Sequence, residues 1–283
     1  MAKGNLLLGT AGNSVGDVVM YRREGAQVSR VRVRKIKNPK TDAQSLQRAA
    51  FSPVAKFYSP LAVVLERSFE GLSKMKSYNK FLKTNIDLAR ANGWLLPKGT
   101  GFFPLPYKLS QGTLPQVACS WDTGDIMVKC VNIALDSAPT TIGALSTAFV
   151  NAGYQNGDVV TFIGIAGSIS ETSGNFVPYA GQFEIDTTSA VTIANALPKI
   201  NITESSGKLA FDLVSVDFCG GAVIVSRFEN EKWRRSTQNL VVSSTLISEV
   251  TDADYKAAAI ASYGMNAGDP NPLVYLDGDT LEG

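Results

Sequence analysis

Arg30, Arg32 and Arg34 alternate with Val31 and Val33 in the run from Ser29 to Lys40. Successive side chains on a β-strand point to opposite faces, so this spacing predicts three guanidinium groups on one face and two valines packed beneath. The alternation fails at Lys35 and Ile36, where the strand ends or bulges. Guanidinium groups bind phosphate bidentately and stay charged at any physiological pH. Together with Arg22, Arg23, Lys35 and Lys37, these arginines form the candidate contact for an anionic partner. Three readings stand side by side: nucleic-acid phosphates, an acidic protein surface, or a solvated edge kept charged to avoid pairing with another chain.

The remaining residue types restrict catalysis. The chain has no histidine, which removes the Ser-His-Asp and Cys-His triads and the commonest zinc ligand. Cys119, Cys130 and Cys219 are an odd, widely spaced set without C-x-x-C, read as buried small hydrophobes. Asp122 with Asp125, and Asp277 with Asp279, bracket turns and lack the ligand series of a calcium loop, so Asx turns account for them. Ser226-Arg227 and Arg234-Arg235-Ser236 suit an anion or, more commonly, hydrogen-bonded strand ends. Gly9 to Gly16 lacks both the Lys-Ser/Thr ending and the spacing of a phosphate loop. The expectation is therefore no catalytic residue, no metal, no cofactor and no enzymatic activity.

The 283 residues are 45% hydrophobic and 18% charged, which fits a folded chain with a sizeable core. A net charge of +2 conceals a division. Residues 1–108 hold 19 basic and six acidic side chains, hence +13, whereas residues 109–283 hold eight and 19, hence −11. That asymmetry predicts a basic part over 1–108, an acidic β domain over 109–250, and a short helix with an extended acidic tail over 251–283. No apolar run approaches the roughly 20 residues of a membrane helix, and the first residues lack the apolar core of a secretory signal. No membrane is expected, and an uncleaved intracellular product is the expectation from these first residues.

Elements that must position the basic residues follow from local pattern. Gly16 to Tyr21 and Gly25 to Val28 read as a hairpin. Thr41-Asp42-Ala43-Gln44 is a capping box opening a helix with Leu46, Ala50, Val54 and Phe57 inward, which Pro53 should kink or end. Ser59 and Pro60 predict the start of a second helix, through Leu61, Val64 and Leu65 to Gly71. A third runs from the cap Ser73 to about Asn92, with Met75, Tyr78, Phe81 or Leu82, Leu88 and Ala89 as its apolar stripe.

From Gln116 the texture changes to short β-branched runs, with a hairpin around Asp122 to Asp125. Further strands are expected at 159–165, 182–185, 209–216, 221–227 and 236–242. Trp121 and Trp233 are expected to supply core area, a carbohydrate platform being the alternative. Thr251 to Asp254 caps a helix over 255–263. The fold class is α+β: an N-terminal basic β-hairpin and helical part, then an antiparallel β-sandwich-like domain.

Two stretches resemble a known family. Gly12-Asn13-Ser14-Val15-Gly16-Asp17-Val18-Val19 through Asn38-Pro39-Lys40-Thr41-Asp42-Ala43-Gln44-Ser45-Leu46-Gln47-Arg48 is similar to the glycine hairpin and N-P-x-T-x-x-Q-x-x-x-R element of an uncharacterised domain family of Bacteroidota and their phages. Val223-Ile224-Val225-Ser226-Arg227 and Trp233-Arg234-Arg235-Ser236-Thr237-Gln238 follow in the family's order. The resemblance implies a setting, a virion or assembly component, and no mechanism. With the charge division it leads to a non-enzymatic structural protein that meets copies of itself as a homo-oligomer, or other virion proteins, through basic and acidic surfaces. A nucleic-acid-binding protein using residues 30–37 is the alternative.

Overall fold

The computed structural model describes residues 13–15, 18–23, 26–31, 42–91, 102, 104–170, 173–214 and 216–243. The chain divides into two compact units, Met1–Pro39 and Lys40–Gly283.

In the first unit, β1 (Asn13–Val15), β2 (Val18–Arg23) and β3 (Ala26–Val31) form an antiparallel sheet in the order β1-β2-β3. The expected hairpin is β2 with β3, in a register that sets Val19 opposite Arg30 and Tyr21 opposite Val28.

The second unit is α+β, and every ladder between its strands is antiparallel. It opens with α1 (Asp42–Tyr58), a 3-10 turn (Ser59–Leu61), α2 (Ala62–Leu65) and α3 (Lys74–Ala91). Helix α1 continues through Pro53, so the expected break does not occur. The residues beyond the proline explain it. Val54, Phe57 and Tyr58 are all buried, and burial of each large apolar side chain is worth about 1.5–3 kcal/mol, enough together to offset the roughly 3 kcal/mol cost of an interior proline. Thr41, the expected cap, lies outside the described residues.

The second helix stops at Leu65 rather than Gly71, and Ser59 does not cap it. The chain turns out at Arg67, where φ is +56°, because residues 68–70 bond elsewhere. Gln111 donates its N–H to Ser68 O and accepts from Glu70 N–H, so this segment runs beside residue 111 instead of winding on. Along α3, Phe81, Leu82 and Ala89 face inward as expected, but Met75 is 68% exposed. The buried face also includes Ser77 and Asn85, which an apolar stripe cannot announce.

Two sheets follow. One has the order β5 (Cys119–Asp122), β6 (Met127–Ala134), β10 (Lys208–Leu213), β9 (Ile200–Ser205). The other has the order β12 (Lys232–Arg235), β11 (Phe218–Glu229), β7 (Val159–Ser170), β8 (Ser173–Glu184), with β14 (Val241–Val242) also on β11. A separate pair joins β4 (Lys108–Ser110) to β13 (Gln238–Asn239), so the strand expected over 236–242 is broken into two pieces on different sheets.

Strands β7 and β11 are buried on both faces. Val160, Phe162, Val223 and Val225 share an apolar cluster with Val128, Leu209 and Phe211 of the four-stranded sheet. Their alternate neighbours Ile163, Ile165, Ala222 and Ile224 join Phe57, Leu65 and Phe81 of the helices. Helices, five-stranded sheet and four-stranded sheet thus share two clusters, a sandwich-like stack with helices on the remaining face. A strand covered on both sides must be apolar at consecutive positions, the reason for the run Ala222-Val223-Ile224-Val225.

This arrangement corrects the expected boundary near residue 108. The helices of the basic part bury their apolar side against strands from the acidic part, so both belong to one compact unit. The division falls at Pro39 instead, with eight basic and two acidic residues before it, hence +6, and 19 and 23 after it, hence −4.

Helix α4 (Ile142–Asn151) was not expected. Thr141 Oγ1 accepts from Ala144 N–H at its start, and Ile142, Leu145 and Phe149 enter the sandwich core. A short α5 (Ile193–Ala196) completes the elements. The helix expected over 255–263 and the acidic tail lie outside the described residues. No described helix is long and apolar enough to cross a membrane.

Candidate functional site

On the N-terminal ribbon, the β2–β3 register places Val19, Tyr21, Val28 and Arg30 on one face. The Arg30 guanidinium lies over the Tyr21 ring, 5.7 Å from its centroid, within the reach of a cation–π contact. Both side chains are exposed. Arg22 and Arg23 end β2 opposite Gln27 and Ala26. Arg32, Arg34, Lys35 and Lys37 lie outside the described residues. Val31, expected to pack beneath the arginines, is 72% exposed. Among the described residues of this unit the three short strands form a single layer, and Val18 and Tyr21 are exposed as well.

A second candidate is the junction where three chain segments meet. Arg235 is buried and donates through Nη1 to Ser226 Oγ and through Nη2 to Glu66 O at 3.2 Å. Among the described residues its Nε has no hydrogen-bond partner, and its guanidinium carbon sits 5.5 Å from the centre of the Trp233 ring. Burial draws this guanidinium down to about 10, against the raising effect of the Glu66 charge. It stays charged at neutral pH. Leu114 N–H donates to Arg235 O at 3.0 Å, and Glu70 accepts from Thr113 through both N–H and Oγ1. Gly112 lies between them: a Cβ there would stand 2.1 Å from Arg235 O.

Beside this junction opens a groove of about 900 Å³, lined by Phe69, Glu70, Lys80, Lys232, Trp233 and Arg234 among others. Trp233 is therefore no core residue. It packs at 5.2 Å against Phe228, which is 60% exposed, across the β11–β12 hairpin. Trp121 meets the expectation better, half-buried and stacked on Phe218 beside the sandwich core. A second groove of about 690 Å³ lies between α1 and α3, where Met75 and Tyr78 line it with Lys56 and Lys74.

Ser226, Arg227 and Ser236 serve structure. Arg227 donates from Nε to Asp158 Oδ1 at 2.6 Å and from Nη2 to Oδ2 at 2.8 Å, and Asp158 is 1% exposed. This bidentate contact holds the Arg227 guanidinium above its ordinary value. Ser236 Oγ accepts from Val225 N–H. At the β5–β6 turn, Asp122 Oδ1 accepts from Gly124 N–H, the expected Asx turn, and its carboxylate also pairs with Lys129. Those partners hold Asp122 below the usual carboxylate range, the Lys129 hydrogen bond most of all. Among the described residues, no three His, Cys, Asp or Glu side chains converge as a metal site would require.

Several positioning residues escape sequence reasoning. Asn85 donates to Phe81 O and Lys108 O and accepts from Lys108 N–H, tying α3 to β4. The Cys119–Cys130 pairing also escapes it: a turn over Asp122 to Asp125 would set Cys119 opposite Val128, whereas the observed loop, 123–126, sets it opposite Cys130.

The fold and its surfaces define an α+β protein with a separate basic β-ribbon. Residues 9–94 match the sequence model of a family described as a family of unknown function, DUF6266. The matched stretch covers the ribbon and α1 to α3, and the second stretch of resemblance, 223–238, lies outside it. No curated protein and no solved structure matches the chain.

Proposed function

We propose that the protein is a non-enzymatic structural or assembly component, of the kind found in phage virions, that docks its basic N-terminal ribbon on an acidic protein surface. That surface belongs to another copy of the chain or to another virion protein. The observation that carries this reading is the Arg30–Tyr21 pair, a cation held over an aromatic ring on an exposed face of a unit with net charge +6. Exposed Val18 and Val31 on the same small sheet add apolar area for a partner to cover. The rest of the chain, at −4, supplies the complementary sign in a second copy.

Sedimentation velocity across a salt series tests it. Association should weaken as salt rises, because exposed charge contacts are screened beyond about 10 Å at 0.1 M ionic strength. Changing Arg30, Arg32 and Arg34 together to alanine should weaken it at low salt. Association indifferent to both would overturn the reading.

Nucleic-acid binding by the same ribbon is the second reading. It draws on the exposed Tyr21 ring beside Arg30, since aromatic faces and cations together hold single strands. Fluorescence anisotropy with labelled single- and double-stranded DNA separates the two. Absence of binding at low salt removes the nucleic-acid reading.

A further inference from the structure

We propose that Cys119 and Cys130 form a reversible intramolecular disulfide when the protein meets a low-molecular-weight disulfide oxidant. The two residues stand directly opposite on β5 and β6, with their Sγ atoms 4.0 Å apart. Val131 N–H donates to Ala118 O at 2.7 Å, which makes 118 and 131 the hydrogen-bonded pair and leaves 119 and 130 as a non-hydrogen-bonded pair. At such a position the Cα atoms stand about 4.5 Å apart and the side chains approach most closely. That separation lies inside the roughly 4.4–6.8 Å that disulfides span. Closing the bond moves the sulfurs together by side-chain rotation, with the ladder intact.

The two thiols differ in a way that orders the steps. Cys119 is half-buried, whereas Cys130 is fully buried in the sandwich core. Hydrogen bonding to Cys119 and burial push the Cys130 thiol well above the usual range, so it is the poorer initial nucleophile. Cys119, having lost its proton to solvent, attacks one sulfur of the small disulfide. The disulfide bond breaks, a mixed disulfide forms on Cys119, and the departing thiolate takes up a proton. Cys130 then loses its proton and attacks the Cys119 sulfur, releasing the second small thiol. Two protein thiols are oxidised by two electrons, and one small disulfide is reduced to two thiols. Cys219 takes no part: it is buried, donates to Ile165 O, and sits in the other apolar cluster.

The product would staple an edge strand. Among the described strands β5 pairs with β6 alone, through four residues, and the bond would join it covalently to that neighbour.

Oxidised glutathione on the purified full-length protein at mildly alkaline pH is the test, followed by acid quenching, unfolding in the presence of a thiol-blocking reagent, and mass mapping of proteolytic fragments. The expected result is a fall from three free thiols to one, a Cys119–Cys130 linkage, a blocked Cys219, and full reversal by dithiothreitol. Cys130→Ser should trap one glutathione on Cys119, and Cys119→Ser should leave Cys130 unmodified. Retention of all three thiols would overturn the proposal. So would a Cys119 adduct that persists in the unaltered chain, or a linkage through Cys219.

Discussion

Gly164 of β7 and Gly221 of β11 stand directly opposite each other, and both lack side chains where β10 of the facing sheet presses closest. A Cβ on Gly164 would lie 2.7 Å from Leu213 Cδ2, and one on Gly221 would lie 2.8 Å from both Ile163 O and the Phe211 ring. The pair makes a flat spot in the five-stranded sheet that admits Phe211 and Leu213.

Gly221→Ala should destabilise more than Gly164→Ala. The first meets backbone and a fixed ring, the second the end of a leucine side chain that can rotate away. Overpacking of this kind costs about 1–3 kcal/mol, so chemical denaturation should show the Gly221 midpoint displaced further. Equal midpoints would mean that the sheets sit farther apart than described.

Removing Arg227 should be costly. Among the described residues it leaves buried Asp158 with the Gln155 N–H as its remaining side-chain hydrogen-bond donor, and breaking a buried pair from one side costs about 3–5 kcal/mol. Arg227→Met in equilibrium urea unfolding should approach that figure, and the double variant Arg227→Met, Asp158→Leu should recover part of it.

Alkaline solution should destabilise the fold before the backbone is affected. Burial, with Asp217 adding to it, pushes the Cys219 thiol up to about 12 from its ordinary value near 9, and burial also raises Tyr107 and Tyr154. These groups hold protons more tightly folded than unfolded. Their stabilising contribution is complete below the unfolded value and is lost as pH climbs through the folded one. Thermal midpoints should therefore fall progressively between pH 9 and pH 12, and Cys219→Ala should flatten part of that slope.

Deleting residues 1–39 and deleting residues 1–108 should give opposite results. The first removes one compact unit and should leave the unfolding of the remainder within about 0.5 kcal/mol, as for surface changes, while abolishing salt-sensitive association. The second strips Phe57, Leu65 and Phe81 from Ile163, Ile165 and Ile224, and should yield aggregated or unfolded protein by circular dichroism.

What could be read in advance depended on whether the signal was local. The β5–β6 hairpin announced itself through Asp122 and Gly124, whose turn is made by neighbouring atoms. Helix α3 did so through its spacing. Helix α4 was overlooked because Gly143, Ser146, Thr147 and Val150 are poor helix formers, although the Thr141 cap and the Ile142, Leu145, Phe149 spacing were present. Pro53 misled because the burial that sustains α1 beyond it is tertiary: Phe57 and Tyr58 meet Phe81, Phe102 and Tyr107, which no local pattern around the proline announces. The candidate site was partly legible: Arg30 faces solvent as its alternation suggested, but what lies under the ribbon is set by layers, and alternation alone cannot count them. Net charge drew a boundary at 108 because charge records the surface, whereas domains are delimited by shared interior.

The stretch that matches the family model ends at residue 94, just past α3, yet the oily underside of its helices rests in part on β7 and β11, which begin more than sixty positions later. Excised as residues 9–94, that segment would be a roof without a building: α1 and α3 would keep the Phe57–Phe81 and Tyr58–Tyr78 contacts and lose the sheet that Ile163, Ile165 and Ile224 bring to them. A chain that carries this roof must bring its own sheet to slide beneath it, and in this protein β7 and β11 are that floor.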